Sequence, residues 1–352
     1  MKLDFNDLLI VPAIQSDIVS RSEVKPYYYP SEDKSIFHLP IIAAPMDTVI
    51  NKDVISYLEK NKISYCIPRG MNDVPQRKVE SGIMSFQSFG LDEFIETFII
   101  KTTFIDNTYI LIDIANGHMS KMTDAIRSFK KKYQDHYTLM VGNVANPETY
   151  KVLSLAGADY IRIGIGNGNG CLTTQQLGIG YPMASLIREC YSIKQSITKS
   201  DYEPAKIVAD GGMKGYSDII KALACGADYV MIGSILNMAL ESAGPTYFKG
   251  IKINQYSSLA KWLFKNNFKL TKKFRGMSTK EVQKTWNKGQ LKTSEGVSRT
   301  RNVEYTIDGW TKNFTDYLKS AMSYTDKNNL YFFTGTADII QVSDNAYKRY
   351  NK

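Results

Sequence analysis

The chain has 352 residues, of which 43% are hydrophobic and 22% are charged, with a formal net charge of +9. This composition is typical of a globular protein and allows one large domain or two small ones. No apolar run is long enough to span a bilayer, and the first residues, MKLDFNDLLIVP, lack the layout of a cleavable signal. The four cysteines show no CxxC pairing and no ligand spacing with histidine, which argues against zinc and disulfides. We therefore expect a reducing, cytoplasmic location.

The positive charge is spread along the chain in short clusters, such as Lys130–Lys132 and Lys272–Lys273. A basic chain can bind nucleic acid or an anionic small molecule. Because we find no basic stripe interleaved with aromatic residues, the pattern favours an ordinary solvated surface. We expect neither a nucleic-acid partner nor a membrane partner.

The first forty residues show no regular pattern, and Pro26, Pro30 and Pro40 predict an extended lead-in that packs on a larger body. Eight short runs rich in β-forming residues follow. Most of them are almost continuously apolar, as in strands that are covered on both faces. These runs lie at 41–44, 63–67, 82–86, 109–113, 138–142, 160–164, 206–210 and 229–233.

Segments with helical spacing separate most of these runs. Examples are Val54–Lys60, Met122–Lys132, Pro147–Ala156 and Tyr216–Ala224. Strands that alternate with helices predict the α/β class, with a parallel sheet closed into a (β/α)8 barrel. An open, doubly wound sheet is the alternative. A repeat favours the barrel, since 157–160 and 226–229 both read GADY, follow a strand–helix unit and lead into a strand.

The stretch Ile163–Thr174 reads IGIGNGNGCLTT. Glycine and asparagine tolerate positive φ, so this loop can turn sharply and aim several backbone groups at one point. Cys171 lies in this polar loop, which favours a reactive thiol over a buried structural cysteine. A flexible surface loop in which the cysteine occurs by chance is the alternative.

In a parallel barrel, functional groups follow the carboxyl ends of the strands. Polar and glycine residues do follow most of the predicted strands: Pro45–Asp47, Asp113, Asn116–His118, Asn143, Cys171, Asp210–Gly212 and Gly233–Ser234. The last two groups follow the seventh and eighth strands, where glycines can expose backbone N–H groups to a phosphate. We interpret them as a phosphate cradle, with plain turns as the alternative.

The alternation stops after residue 245. The polar segment 286–304 contains Gly289 and Gly296 as candidate hinges, so we predict a mobile flap over the barrel mouth within residues 268–310. Thr311–Ser323 has helical spacing and predicts a closing helix, followed by a tail to residue 352. Residues 1–352 are then a single barrel domain.

Several short motifs of the chain resemble those of the IMP dehydrogenase / GMP reductase family. They are FNDLLIVP near the N-terminus, APMDTV (44–49), DIANGH (113–118), VGNV (141–144), GIGNGNGCLTT (164–174), GIGYP (178–182), ADGG (209–212), IGS (232–234) and FRGMS (274–278). Each is short, but their order and spacing make the resemblance specific. It implies a catalytic (β/α)8 barrel, a homotetramer or larger homo-oligomer, a purine nucleotide monophosphate as substrate and a nicotinamide cofactor.

Within that family, the residues of three motifs favour the GMP reductase branch. Asp-hydrophobic-Ala-Asn-Gly at 113–117, GIGYP at 178–182 and Ser-Glu-Gly at 294–296 are reductase-like. The early strands leave no room for an inserted regulatory domain, and 279–304 lacks the Arg-Tyr pair of the dehydrogenases. Only the proline in APMDTV is closer to the dehydrogenase version of that motif.

The resemblance therefore implies NADPH-dependent reductive deamination of GMP, or of a related purine nucleotide, to IMP and ammonia. Two alternatives stay open. One is an IMP dehydrogenase without the regulatory insertion, which oxidises IMP to XMP with NAD⁺. The other is a nucleotide-binding homologue without turnover.

The resemblance also implies roles for individual residues. Cys171 would form a covalent adduct at purine C2, with Thr173 and Glu295 as a proton relay. The substrate-binding residues would be Asn169, Gly170, Asp210, Gly211, Gly212, Gly233, Ser234, Gly276, Met277, Ser278, Ser294 and Gly296. The cofactor side would be Asp113, Ala115, Asn116 and Gly117, and the carbonyls of Gly166, Gly168 and Cys171 match a potassium site of dehydrogenase relatives.

One position departs from the family pattern. Relatives usually carry a serine as phosphate ligand two residues before the nucleophile, where this chain has Asn169. Its amide can still donate a hydrogen bond but is bulkier than a serine hydroxyl. We therefore expect a shifted phosphate or an altered purine nucleotide as substrate.

Overall fold

The computed structural model describes residues 1–30, 32–71, 82–198, 203–277, 279 and 296–350. Its strands are β1 (Leu8–Ile10), β2 (Ile41–Ala43), β3 (Ser64–Ile67), β4 (Ser85–Phe89), β5 (Tyr109–Asp113), β6 (Thr138–Val144), β7 (Tyr160–Ile163), β8 (Lys206–Asp210), β9 (Tyr229–Ile232), β10 (Thr246–Phe248), β11 (Ile251–Ile253), β12 (Leu270–Arg275), β13 (Ser298–Asn302) and β14 (Ile339–Gln341). Strands β2 to β9 pair in parallel in chain order, and β9 pairs with β2. This closed sheet confirms the predicted barrel and excludes the open sheet.

The helices lie around and beyond this barrel. They are α1 (Lys52–Lys60), α2 (Leu91–Phe94), α3 (Ser120–Tyr133), α4 (Pro147–Leu155), α5 (Thr173–Leu177), α6 (Met183–Thr198), α7 (Tyr216–Ala224), α8 (Ser234–Asn237), α9 (Ser258–Lys265), α10 (Ile307–Tyr324), α11 (Leu330–Phe333) and α12 (Asp344–Tyr350). Local signals explain their starts: α4 has proline in its first turn, and the Asn146 side chain accepts the amide hydrogen of Glu148. Within the described ranges, no helix is both long enough and apolar enough to cross a bilayer.

Strand β4 begins at Ser85, three residues later than the sequence pattern predicts. Gly82 has a φ of +74°, and a Cβ there would lie 2.4 Å from the Ile36 side chain. The backbone therefore turns at this glycine and cannot be extended there. Met84 already bonds to the neighbouring strand, since its carbonyl accepts the Tyr65 amide hydrogen at 3.0 Å.

The barrel interior is filled by side chains, so the barrel is a packed core and not a channel. Buried residues of this interior are Ile42, Cys66, Met84, Phe86, Leu111, Met140, Val208 and Met231. Burial raises the pKa of the Cys66 thiol far above its usual range, so this cysteine stays neutral. The rings of Tyr160 and Tyr229, which begin β7 and β9, pack 5.7 Å apart at the amino-terminal end. We therefore expect a functional cavity at the carboxyl end of the barrel strands.

The lead-in carries residues that belong to the core. Phe5, Leu8 and Leu39 are buried in the main hydrophobic cluster. The sequence pattern gives no sign of β1, yet β1 pairs antiparallel with β14 and so joins the two ends of the chain. A strand of three residues is too short to show a periodicity, which is why its pairing becomes evident only in the fold.

Residues after the barrel form a second, antiparallel sheet in the order β11-β10-β12-β13. The range predicted as a flap, 268–310, thus contains the paired strands β12 and β13, in which Arg275 lies opposite Ser298, and the first turn of α10. Most of the connection between them lies outside the described residues, where the flap stays a prediction. Helix α8 packs against β12, which places this sheet beside the carboxyl end of the barrel.

Candidate active site

A cavity of about 360 Å³ lies at the carboxyl end of the barrel strands. Its wall combines loops that follow β2, β5, β7, β8 and β9 with residues beyond β12. The predicted site residues in this wall are Asp113, Ala115, Gly166, Gly168, Asn169, Gly170, Cys171, Thr173, Asp210, Gly211, Gly212, Gly233, Ser234, Gly276 and Met277. The fold therefore gathers most of the predicted site around one cavity.

Two predicted cofactor residues do not line this cavity. The Asn116 side chain accepts the amide hydrogen of His118 at 3.1 Å. The Gly117 amide donates to the Asn143 carbonyl at 2.8 Å, and a Cβ on Gly117 would lie 2.8 Å from the same oxygen. Close packing against Asn143 therefore accounts for the glycine at this position.

Three further predicted residues, Ser278, Ser294 and Glu295, lie outside the described residues. Gly296, which follows Glu295 in the sequence, is described and forms an isolated antiparallel bridge with Cys171. The structure thus places Gly296, the residue next to Glu295, beside the predicted nucleophile Cys171.

The cysteine loop has a fixed local geometry. The Sγ atom of Cys171 lies 3.1 Å from Oγ1 of Thr173, and the Cys171 amide donates to the Gly168 carbonyl at 2.9 Å. Gly166 has a φ of +83°, and a Cβ there would overlap with Oγ1 of Thr174. Cys171 is partly exposed, whereas Cys66, Cys190 and Cys225 are buried. The loop therefore presents the thiol to the cavity.

The backbone around Gly276 holds this loop from the opposite side. The Val297 amide donates to the Gly170 carbonyl at 3.1 Å, and the Gly276 amide donates to the Val297 carbonyl at 3.0 Å. A Cβ on Gly276 would lie 2.4 Å from the Gly170 oxygen, so only glycine fits this approach. These contacts hold the two described ends of the segment between β12 and β13 against the loop that contains Cys171.

The predicted phosphate cradle is assembled from three loops. Gly211 and Gly212 have φ values of +87° and +89°, and a Cβ on Gly211 would lie 3.0 Å from the Gly168 amide nitrogen. Across the cradle, Nδ2 of Asn169 donates to the Ser234 hydroxyl at 3.0 Å. The asparagine that replaces the family serine therefore bonds to another residue of the cradle.

A buried charge network crosses the cavity floor. The Arg162 guanidinium donates to Asp113 at 2.5 Å and to Asp210 at 2.8 Å, and its side chain is only 7% exposed. Nδ2 of Asn143 also donates to Asp210, at 2.7 Å. Burial alone would lower the pKa of Arg162, but Asp210 and Asp113 outweigh it and raise that pKa. The guanidinium is therefore permanently charged.

This network leaves one oxygen of each carboxylate for the cavity. Arg162 and Asn143 both bond to Oδ2 of Asp210, and Arg162 bonds to Oδ1 of Asp113. Among the described residues, no hydrogen bond engages Oδ1 of Asp210 or Oδ2 of Asp113. Both residues line the cavity, so each can accept a hydroxyl group from a ligand.

Sequence reasoning missed two arginines of this wall. Arg162 and Arg69 both line the cavity. Arg162 is the one charged residue within the apolar run YIRI of β7, and that interruption is the signal that could have identified it. Arg69 follows β3 at its carboxyl end and packs on Gly90, where a Cβ would lie 2.4 Å from its guanidinium. The cavity wall therefore carries two positively charged side chains that the sequence analysis did not identify.

No cluster of three or more His, Cys, Asp or Glu side chains that could hold a metal occurs in the described parts of the chain. The predicted potassium ligands are backbone carbonyls instead, at Gly166, Gly168 and Cys171. The Gly168 carbonyl accepts the Cys171 amide hydrogen and retains a second lone pair. Carbonyl oxygens of this kind suit a monovalent cation.

Fold and site together define a class of protein: a (β/α)8 barrel with a cysteine loop and a glycine-rich, predicted phosphate cradle at its mouth. The sequence model of the IMP dehydrogenase / GMP reductase domain matches residues 100–351, and the chain belongs to this family.

Its relatives include several proteins named GMP reductase. The chain is 30% identical to the GMP reductase of Phytophthora infestans, over 97% of this chain and 91% of that protein. It is 28% identical to the GMP reductase of Caenorhabditis elegans, over 99% and 94%. It is 29% identical to GMP reductase 2 of Homo sapiens, over 87% and 86%.

Proposed function

We propose that this protein is a GMP reductase, an oxidoreductase that converts GMP to IMP and ammonia with NADPH. The observation that carries the proposal is the partly exposed Cys171 beside Thr173, in a loop that also contributes to the phosphate cradle. The net reaction consumes GMP, NADPH and two protons, and releases IMP, NADP⁺ and an ammonium ion. The near full-length similarity to named GMP reductases supports this choice over the dehydrogenase.

The nucleotide is held by its phosphate and its ribose. The backbone amides of Gly212 and Gly233 and the hydroxyl of Ser234 bind the phosphate. The unengaged Oδ1 of Asp210 accepts a ribose hydroxyl. The family resemblance also assigns base contacts to Met277 and Ser278, which would hold C2 of the purine near Cys171.

Cys171 is the nucleophile. Its thiolate attacks C2, so that a C2–S bond forms and the bond from C2 to the exocyclic amine breaks. The amine leaves only after it has accepted a proton, and Thr173 with Glu295 supplies that proton. The 3.1 Å contact between Cys171 and Thr173 supports this relay, as does the bridge from Cys171 to Gly296, the residue after Glu295. The C2–S bond breaks after C2 is reduced, which regenerates the thiolate.

Asp113, Ala115, Asn116 and Gly117 would hold the cofactor. Asp113 and Ala115 line the cavity, and the carboxylate oxygen of Asp113 that Arg162 does not engage could accept a ribose hydroxyl of the cofactor. When bound, NADPH supplies the two electrons and the hydrogen that C2 receives. The backbone carbonyls of Gly166, Gly168 and Cys171 would hold a potassium ion, which would supply a positive charge next to the Cys171 loop.

Asn169 acts on the phosphate through Ser234. Because its amide donates to the Ser234 oxygen, the hydroxyl hydrogen of Ser234 is directed away from Asn169 and is available to the phosphate. The family's serine ligand is thus replaced by a residue that orients another ligand. GMP itself fits this arrangement, and a deoxy or modified purine nucleotide would use the same phosphate contacts.

Paired absorbance assays test the proposal. We expect NADPH to be consumed with GMP and no NADH to form with IMP plus NAD⁺; the reverse pattern would show a dehydrogenase. Binding of GMP without turnover in either assay would show a nucleotide-binding homologue. Sedimentation of the same preparation tests the expected homotetramer or larger assembly, and fractionation of the source cells tests the cytoplasmic location.

A further inference from the structure

The second sheet and α9 carry an exposed apolar surface rimmed by lysines. We call it the lysine-rimmed patch. Its apolar members are the exposed Ile251, Leu259, Trp262 and Phe268 and the half-buried Phe248, and its rim consists of Lys249, Lys261, Lys265 and Lys269. Neither the barrel core nor the active-site cavity uses these side chains.

The apolar members form one continuous surface. Phe248 lies opposite Ile251 across the β10–β11 hairpin, so both side chains are on the same face of the sheet. The Phe268 ring lies 5.8 Å from the Phe248 ring and 5.6 Å from the Trp262 ring. Leu259 lies one helical turn before Trp262 on α9.

Four of the apolar side chains in the patch are exposed to solvent. Ile251 is 70% exposed, Leu259 56%, Trp262 54% and Phe268 42%. Single exposed apolar residues are common, but a contiguous group marks an interaction surface. The patch is therefore a candidate docking site.

Rigid elements present the patch. The hairpin turns at Lys249 and Gly250, whose φ values of +49° and +82° match a type I′ turn. Helix α9 is capped by Ser257 and anchored by Ala260 and Leu263, which are buried in a cluster of their own. Phe248 also packs against this cluster, so the hairpin and the helix share one buried base that holds the exposed residues in place.

The charge around the patch is of one sign. From residue 242 to residue 280 the sequence contains no Asp or Glu, and all four lysines of the rim are exposed. Two copies of the chain that met through this patch would bring like charges together, which opposes self-association. The complementary partner is therefore anionic and also has an apolar interior.

We propose that the lysine-rimmed patch docks on an anionic lipid bilayer. Trp, Phe, Leu and Ile side chains that project between lysines match the requirements of a membrane interface, where apolar groups enter the headgroup region and ammonium groups contact acidic lipids. A single-stranded nucleic acid fits less well, because Ile251 and Leu259 offer no ring on which a base can stack. The proposal departs from our expectation of no membrane partner, because residues 261–269, which read KWLFKNNFK, place lysines beside aromatic residues.

The test uses the full-length protein and sedimentation with vesicles. We expect co-sedimentation with phosphatidylcholine vesicles that contain about 30% phosphatidylserine, and much weaker co-sedimentation with phosphatidylcholine alone. The double variant Lys261→Glu/Lys265→Glu should weaken binding by about tenfold or more. Trp262→Ala should also weaken binding to the acidic vesicles. This loss should depend less on the salt concentration than the loss in the lysine variant. The matched control Lys131→Glu/Lys151→Glu changes the net charge equally on exposed positions of α3 and α4 and should bind as the unmodified protein does.

Each outcome decides the proposal. Equal binding by the patch variant and the control variant, or no binding to acidic vesicles, overturns it. Tighter binding of a single-stranded oligonucleotide than of vesicles overturns it in favour of nucleic acid, and loss of an oligomer in the patch variant overturns it in favour of self-association. Unchanged circular dichroism and unchanged GMP turnover in the patch variants show that the fold and the site are intact, so a failure here is separate from a failure of the proposed function.

Discussion

Arg162 donates a hydrogen bond to Oδ2 of Asp210 at 2.8 Å, in a position where both side chains are largely buried. The same guanidinium also binds Asp113, so one cation on β7 holds two carboxylates from β5 and β8. Within the proposed function, one carboxylate faces the nucleotide and the other faces the cofactor. Arg162 is therefore a positioning residue that links the two halves of the cavity.

We expect Arg162→Met to raise KM for both GMP and NADPH by about tenfold or more, because two carboxylates lose the group that orients them. It should also lower the free energy of unfolding by about 3 kcal/mol, the scale for breaking a buried ion pair. Arg162→Lys keeps the charge but not the forked geometry, so KM should recover only in part. Steady-state kinetics with each substrate varied, together with urea unfolding, measures both effects.

Arg188→Met, at an exposed position of α6, is the matched control and should leave both quantities unchanged. If Arg162→Met lowers stability but leaves both KM values as they are, the arginine is structural only.

Cys171→Ala should reduce kcat by about a thousandfold or more while GMP still binds, because the covalent step is lost and the cradle remains. Equilibrium binding and turnover measured on one preparation separate these effects. A variant that retained turnover would contradict the assignment of the nucleophile.

Alkylation gives an independent measure of the same thiol. Burial raises the pKa of Cys66 and Cys190 far above its usual range, and raises that of Cys225 to about 12. We therefore expect iodoacetamide to modify only Cys171 in the native protein, and GMP to protect it. Peptide mass spectrometry after brief exposure identifies the modified residue, and modification of a buried cysteine first would contradict the structure.

Asn169→Ala should raise KM for GMP by about fivefold with little change in kcat, because Ser234 loses a hydrogen bond worth roughly 1 kcal/mol that orients its hydroxyl. Asn169→Ser tests the family's own residue and should restore part of the affinity by direct phosphate contact. Asn302→Ala, at an exposed position of β13, is the control. An unchanged KM in Asn169→Ala would show that the cradle does not depend on this bond.

We expect Lys272 to make the stability of the protein depend on pH. Burial lowers its pKa to about 7, although its Nζ donates to the Ser242 hydroxyl at 2.8 Å. The unfolded chain binds a proton at this lysine up to a pH of about 10.4, whereas the folded chain releases it above about 7. Stability should therefore rise with pH across that window, by up to about 1.4 kcal/mol per pH unit.

Lys272→Met should remove this contribution, so that the unfolding free energy of the variant rises less steeply between these two pH values. Urea unfolding at a series of pH values measures the slope. The exposed Lys312→Met should keep the slope of the unmodified protein. Identical slopes for all three proteins would show that Lys272 titrates normally.

The sequence determined the architecture because its signals are local and periodic. Apolar runs of strand length alternate with amphipathic segments such as Tyr216–Ala224, and that alternation predicts a parallel α/β fold. The GADY repeat favoured a barrel, and the pairing of β9 with β2 confirmed that the sheet is closed. The sequence also located the loop around Cys171, since residues 163–174 concentrate glycine and asparagine, which tolerate positive φ, in front of a cysteine. The recurrence of family motifs then supplied the proposed chemistry.

Tertiary structure alone decided which side chains meet. Arg162 is 49 residues from Asp113 and 48 from Asp210, and only closure of the barrel brings the three together. The contact between Asn169 and Ser234 spans 65 residues, and the lysine-rimmed patch joins a hairpin to a helix. No local pattern encodes such pairs, because a side chain's partners across a barrel depend on strand order and register and not on its neighbours in the chain.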